Sequence, residues 1–83
     1  MKQLIYFSAE WCGPCKIIGP VMEELKSEGY NIQKVDVDVD KQLSQKYGVR
    51  NIPTVILTVN GEETARKVGS ASKVMYLNMY DQN

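Results

Sequence analysis

The sequence predicts an α/β domain whose strands and helices follow in the order βαβαββα. An apolar, aromatic run at residues 4–9 (LIYFSA) has the length and composition of a buried strand, and the segment after it has helical spacing. The β-branched residues 54–59 lead into Asn60-Gly61, the strongest hairpin signal in the chain. Because 83 residues suffice for only one core, we expect residues 1–83 to form a single domain.

The first helix follows the first strand directly. We expect it to run from about Pro14 to Glu28, where Gly29 ends it. Its apolar residues recur on one face and are Ile17, Ile18, Val21, Met22 and Leu25. This face should cover the sheet.

A second strand and a short helix come next. Residues 31–38 are predicted to form the strand, with Ile32, Val35 and Val37 as its apolar residues. Asp40 can then cap a helix that continues through Tyr47, and Gly48 ends it. A strand-helix-strand unit of this kind is parallel and right-handed.

The last third of the sequence predicts a hairpin and a helix. Residues 54–59 form the third strand, and residues 63–68 return antiparallel after the Asn60-Gly61 turn. The final helix should start between Ser70 and Ser72. Its apolar residues are Val74, Met75 and Leu77.

Charge and composition limit the kinds of partner and the compartment that the sequence favours. Lys plus Arg and Asp plus Glu are both ten, so the zero net charge favours neither nucleic acid nor an anionic membrane as a partner. The N-terminal apolar run is too short for a signal peptide or a spanning helix. We therefore expect a cytoplasmic protein, where paired cysteines are catalytic or metal-binding more often than structural.

The segment Trp11-Cys12-Gly13-Pro14-Cys15 contains both cysteines of the chain, one helical turn apart, where the first strand turns into the first helix. At the helix N-terminus, free amide groups and the positive dipole end should lower the pKa of Cys12 by about one unit. Cys12 is thus the expected nucleophile, and Cys15, one turn further in and more buried, the resolving thiol. Pro14 suits the first helical turn, and Gly13 lets a substrate backbone approach.

Other chemistries fit less well. The chain has no histidine, which excludes a Cys-His protease pair and a Cys₂His₂ zinc site, although a dimer that pooled four cysteines could still bind zinc. A permanent disulfide that only stiffens the turn is a further alternative, but so small a loop restrains little of the unfolded chain. The acidic run at residues 36–40 lacks the glycine and the final glutamate of a calcium loop. We expect neither a cofactor nor a metal.

Beyond the cysteines, the chain resembles the thioredoxin family. The matching blocks, in order and spacing, are AEWCGPCK at 9–16, Pro20, KVDVD at 34–38, KYGVRNIPT at 46–54, NGE at 60–62 and KVGSASK at 67–73. The resemblance implies a minimal thioredoxin fold, with a four-stranded mixed sheet in the order 2-1-3-4 flanked by helices. Longer members open with an additional strand and helix that this chain lacks.

The resemblance also implies further site residues. Pro53 would be a cis-proline that faces the cysteines, with the Ile52 backbone offered to an extended substrate; cis bonds are cheap only before proline. The docking surface around Cys12 would comprise Trp11, Gly13, Pro14, Ile52, Gly69 and Ser70. Trp11 could otherwise be an ordinary core aromatic.

One position departs from the family pattern. A buried acid usually stands six residues before the first cysteine and helps to deprotonate the resolving thiol; here that position is Tyr6. A phenol with a reference pKa of about 10 is a poor base at neutral pH. Lys34 matches the usual partner of that acid and would lack its ion pair, while Asp36 or a water chain could substitute for the acid. We therefore expect slower or more pH-dependent resolution by Cys15.

The resemblance implies a protein-disulfide reductase that a flavoprotein such as thioredoxin reductase recharges and that acts on oxidised proteins, as a monomer. Two alternatives remain. A glutaredoxin-like enzyme would use glutathione, although CGPC argues against it. A thioredoxin-fold accessory subunit would bind a larger enzyme without needing its cysteines.

Overall fold

Four strands form one mixed sheet that carries three helices. The structure, a computed structural model, describes residues 1–82. The elements are β1 (Lys2–Ser8), α1 (Gly13–Ser27), β2 (Ile32–Asp36), α2 (Lys41–Lys46), β3 (Thr54–Val59), β4 (Glu62–Val68) and α3 (Lys73–Gln82). The strand order is β2-β1-β3-β4, so β2 and β4 lie at the two edges. β1 pairs parallel with β2 and antiparallel with β3, and β3 pairs antiparallel with β4. The predicted fold and strand order are confirmed.

The core lies on both faces of β1, because alternate side chains of a strand point to opposite faces. On one face, Leu4 and Tyr6 belong to a buried cluster that α1 and α3 complete. The members that these helices contribute are Cys15, Ile18, Met22, Leu25, Tyr76 and Met79, and the N-cap residue Cys12 joins them. On the other face, Ile5 and Phe7 pack with Val35, and residues of and after α2 cover them. The cysteines therefore sit at the end of the larger of the two clusters.

β2 is shorter than the sequence predicts, since it ends at Asp36 rather than at residue 38. The Asp36 carbonyl accepts hydrogen bonds from the amides of Val39 and Asp40, and its carboxylate Oδ1 accepts one from the amide of Asp38. These bonds end the strand at Asp36, although the apolar residue Val37 still follows. Asp40 then caps α2 as expected, with its Oδ1 accepting from the Leu43 amide at 3.0 Å.

Of the three apolar residues that the sequence indicates in α3, Leu77 alone packs against the larger cluster. Val74 and Met75 are 62% and 44% exposed, and Tyr76 and Met79 are the buried residues. α3 begins at Lys73, later than expected, and its apolar residues surround the axis, so the sequence does not single out one stripe. In α1, Ile17 likewise turns to solvent, while Ile18, Met22 and Leu25 are buried.

The β3–β4 turn matches its prediction. Asn60 and Gly61 have φ values of 54° and 87°, the left-handed pair that a two-residue type I′ turn requires. In the described part of the chain, no helix has the length and apolarity needed to cross a membrane.

Candidate functional site

Cys12 and Cys15 form a disulfide at the start of α1, with their Cα atoms 5.3 Å apart. Cys12 is the N-cap residue of the helix, and its Sγ accepts a hydrogen bond from the Cys15 amide at 3.2 Å. An N-cap places a side chain against amide groups that have no partner inside the helix. In the reduced protein, the same amides and dipole favour a thiolate at Cys12.

The two cysteine residues hardly differ in solvent exposure. Cys12 is 4% and Cys15 3% exposed in the disulfide form, so the expected contrast between an outer and an inner cysteine is absent from this structure. Both side chains belong to the larger apolar cluster. Their surroundings do differ, because Cys15 lines a cavity beside β2 whose lining does not include Cys12.

A loop before β3 and the end of β4 meet at Pro53. The Ile52–Pro53 peptide bond is cis, Pro53 is buried, and Ile52 packs against the cluster that contains both cysteines. The Pro53 carbonyl accepts a hydrogen bond from the Gly69 amide at 2.8 Å, and Gly69 has a φ of 85° that favours glycine. Ser70 follows as an exposed residue. The structure thus brings Ile52, Pro53 and Gly69 together.

Trp11 is not a core aromatic, since it is 70% exposed. Its indole Nε1 donates a hydrogen bond to Asp38 Oδ2 at 2.8 Å, which fixes the ring beside the cysteines. Gly13 and Pro14, between the cysteines, are exposed as well. Sequence reasoning missed the role of Asp38; the only signal was an acidic residue just after a strand that parallels β1.

Tyr6 is buried below the first turn of α1. Its hydroxyl donates a hydrogen bond to the Cys15 carbonyl oxygen at 2.7 Å. Burial raises the pKa of Tyr6 above its ordinary value, and the Ser8 side chain opposes only part of that rise. A neutral phenol whose proton is already donated to a carbonyl cannot accept a proton from a thiol at neutral pH.

Lys34 lies opposite Tyr6 in the β1–β2 register. Its side chain is exposed, and within residues 1–82 it makes no ion pair. The ion pairs that do form in this part of the chain lie elsewhere: Lys73 joins Glu24 and Glu28 of α1, and Arg66 joins Glu63. The position that normally pairs with the buried acid therefore has no carboxylate partner within the described residues.

The cavity that Cys15 lines has a volume of about 460 Å³. It lies between β1, β2 and the first turns of α1. Its lining residues are Tyr6, Ser8, Ala9, Glu10, Cys15, Lys16, Gly19, Lys34 and Asp36. Across residues 1–82, no three or more His, Cys, Asp or Glu side chains come close enough together to hold a metal ion.

The family model for thioredoxin matches residues 1–81 of this chain. Thioredoxin from Haemophilus influenzae is 41% identical over 83 residues, which cover 96% of this chain and 78% of the relative. The chain belongs to the thioredoxin family. Thioredoxin from Chlamydia trachomatis is 47% identical over 72 residues, covering 84% of this chain and 71% of that protein.

Solved structures of thioredoxins agree with this assignment. A single-substitution mutant of thioredoxin from Halobacterium salinarum superposes with a TM-score of 0.91 at 34% identity, covering 98% of this chain and 73% of the other. The reduced thioredoxin pre-protein of Schistosoma mansoni gives a TM-score of 0.89 at 36% identity, covering 98% and 77%. Thioredoxins are thiol-disulfide oxidoreductases, and so is this thioredoxin-family chain.

Proposed function

We propose that this chain reduces disulfides in oxidised proteins, with Cys12 as nucleophile and Cys15 as resolving thiol. The observation that supports this most directly is the N-cap position of Cys12, whose Sγ accepts the Cys15 amide. A sulfur held there is stabilised as an anion and has its partner 5.3 Å away, measured between Cα atoms. No other pair of side chains in the described residues offers comparable redox chemistry.

The reaction proceeds in two exchanges. The Cys12 thiolate attacks one sulfur of a substrate disulfide, forms a mixed disulfide and expels the other substrate sulfur as a thiolate. Cys15 then loses its proton and attacks the Cys12 sulfur. The Cys12–Cys15 disulfide forms, and the second substrate thiolate leaves, so that two electrons have passed to the substrate.

The substrate would dock on the surface that surrounds Cys12. Trp11 offers an exposed ring held by Asp38, and Ile52 and Pro53 offer a loop backbone fixed by Gly69. An extended substrate segment can pair with such a loop while its disulfide reaches Cys12. The remaining members of the proposed surface, which add small or exposed contacts, are Gly13, Pro14 and Ser70.

The oxidised chain requires an electron donor. We propose a flavoprotein of the thioredoxin reductase kind, acting in the reducing cytoplasm on a monomeric, single-domain protein of residues 1–83. Family membership supports a reductase and protein substrates in general terms. The redox-active pair supports a reducing compartment, where thiols of this kind stay available.

Insulin reduction tests the proposal. The oxidised chain is supplied with NADPH and thioredoxin reductase in one series and with glutathione in another. We expect turnover in the first series and little in the second. Faster turnover with glutathione would select a glutaredoxin-like enzyme instead.

Cysteine variants test the order of attack. Cys15→Ser should accumulate a covalent adduct with insulin chains through Cys12, and a reducing agent should cleave this adduct. Cys12→Ser should accumulate none. Recovery of no adduct from Cys15→Ser would contradict the assigned order. A double Cys12→Ser/Cys15→Ser variant that retains biological activity would favour the accessory-subunit role.

A further inference from the structure

The cavity beside Cys15 offers a route for a proton. Cys15 must become a thiolate before it can resolve the mixed disulfide, yet it is only 3% exposed. The 460 Å³ cavity that it lines has room for several waters and is walled by polar side chains from β1 and β2. A proton that leaves Cys15 can therefore travel through this cavity.

Most of the ionisable groups around the cavity cannot accept that proton. Tyr6 of β1 donates its own proton to the Cys15 carbonyl. Lys16 of α1 and Lys34 of β2 also line the cavity, and a lysine ammonium group donates hydrogen bonds but has no site that accepts a proton. Two carboxylates remain, Glu10 in the loop after β1 and Asp36 at the end of β2.

Of these two, Asp36 is held in place. It pairs with Ser8 in the β1–β2 register and stands two residues after Lys34, so its side chain shares the sheet face that carries Tyr6 and α1. Its Oδ1 accepts the Asp38 amide at 2.9 Å, and the residue lines the cavity. Glu10 is exposed, whereas Asp36 is half-buried.

We propose that Asp36 accepts the proton of Cys15 through water in this cavity, in place of the acid that Tyr6 replaces. The inference rests on the proposed function. A water takes the proton from the Cys15 thiol and passes one to the Asp36 carboxylate, so the carboxylate becomes a carboxylic acid and Cys15 becomes a thiolate. The thiolate attacks the Cys12 sulfur and the substrate thiolate leaves.

Stopped-flow reduction of 5,5′-dithiobis(2-nitrobenzoic acid) separates the two exchanges. Attack by Cys12 releases one coloured thionitrobenzoate, and resolution by Cys15 releases the second. With the reduced protein in small excess, the second rate constant should not depend on protein concentration. Both rate constants are measured from mildly acidic to mildly alkaline pH for the wild type, Asp36→Asn and Glu10→Gln.

We expect Asp36→Asn to slow the second step by about a hundredfold or more at neutral pH, since a positioned general base typically contributes at least that much. Its pH profile should move toward the ordinary thiol pKa of about 8.5. The first step should keep its rate, which also shows that the variant is folded; the asparagine oxygen can still accept the Asp38 amide. Glu10→Gln should change neither step.

An unmoved profile in Asp36→Asn, or a shift in Glu10→Gln instead, overturns the role of Asp36 alone. A wild type that never releases the second thionitrobenzoate overturns the proposed function as well.

Discussion

Two buried phenols offer a matched test of what a hydroxyl contributes inside this protein. Tyr6 and Tyr76 are 2% and 0% exposed, so Tyr→Phe keeps the packed ring and removes only the hydroxyl at each position. The Tyr6 hydroxyl donates to the Cys15 carbonyl at 2.7 Å. The Tyr76 hydroxyl makes no hydrogen bond of ordinary geometry within residues 1–82, although the nearby Ala71 backbone lowers its pKa slightly against the rise that burial causes.

The two substitutions should therefore change stability in opposite directions. Tyr6→Phe removes a made hydrogen bond and should lower the free energy of unfolding by about 1 kcal/mol. Tyr76→Phe removes a buried polar group without a partner and should be neutral or stabilising by up to about 1 kcal/mol. For a domain of this size, 1 kcal/mol corresponds to a change in Tm of about 4–8 °C.

Urea unfolding of the oxidised wild type and both variants at neutral pH measures the difference. The denaturant dependence should stay constant, so that the midpoint alone reports stability. A loss in Tyr76→Phe as large as that in Tyr6→Phe would refute the reasoning, because it would show that ring packing or a bond to the Tyr76 hydroxyl dominates.

Three further predictions concern pH, the core and the docking surface. Burial raises the pKa of Tyr6 and Tyr76, so the folded state keeps protons that the unfolded chain releases above about pH 10. The contribution of each phenol to the free energy of unfolding should be complete below that pH and should fall above it by at most about 1.4 kcal/mol per pH unit. Urea unfolding midpoints of the wild type and of the two Phe variants, measured across this pH range, would show the difference. Leu25→Ala should lower the unfolding free energy by about 2–5 kcal/mol, whereas Ile17→Ala, 70% exposed on the same helix, should change it by less than about 0.5 kcal/mol; equal losses would contradict the assigned buried face. Trp11→Ala should raise the KM for insulin while leaving the rate with a small aromatic disulfide nearly unchanged, and parallel losses in both assays would place Trp11 in the chemistry rather than in docking.

Much of the fold follows from local patterns in the sequence. β3 matches its predicted range of 54–59, because its β-branched run ends at an Asn-Gly turn that fixes both strands of the hairpin. α2 likewise begins after Asp40 as predicted, since the capping carboxylate is a local signal. The strand order came from the resemblance to a family, as pairing between distant strands has no local signature.

The errors arose where tertiary contacts override local patterns. In α3, the sequence identifies apolar residues but not the face that is buried, and the helix packs mainly through Tyr76 and Met79. In the site, the cysteines and the flanking turn were predictable from spacing. The bond from Trp11 to Asp38 and the bond from Tyr6 to the Cys15 carbonyl were not, because each joins residues that only the folded sheet brings together.

The edge position of β2 determines whether another strand could extend the sheet on that side. The ladder bonds of Asn31 and Val37 to β1 imply that the backbone groups of the alternate residues Ile32, Lys34 and Asp36 point outward, where a foreign strand could extend the sheet. A strand of only five residues, a lysine at its centre and an immediate turn after Asp36 all disfavour such growth. Replacing Lys34 by an uncharged residue would thus remove a charge that disfavours edge-to-edge pairing and fibre formation.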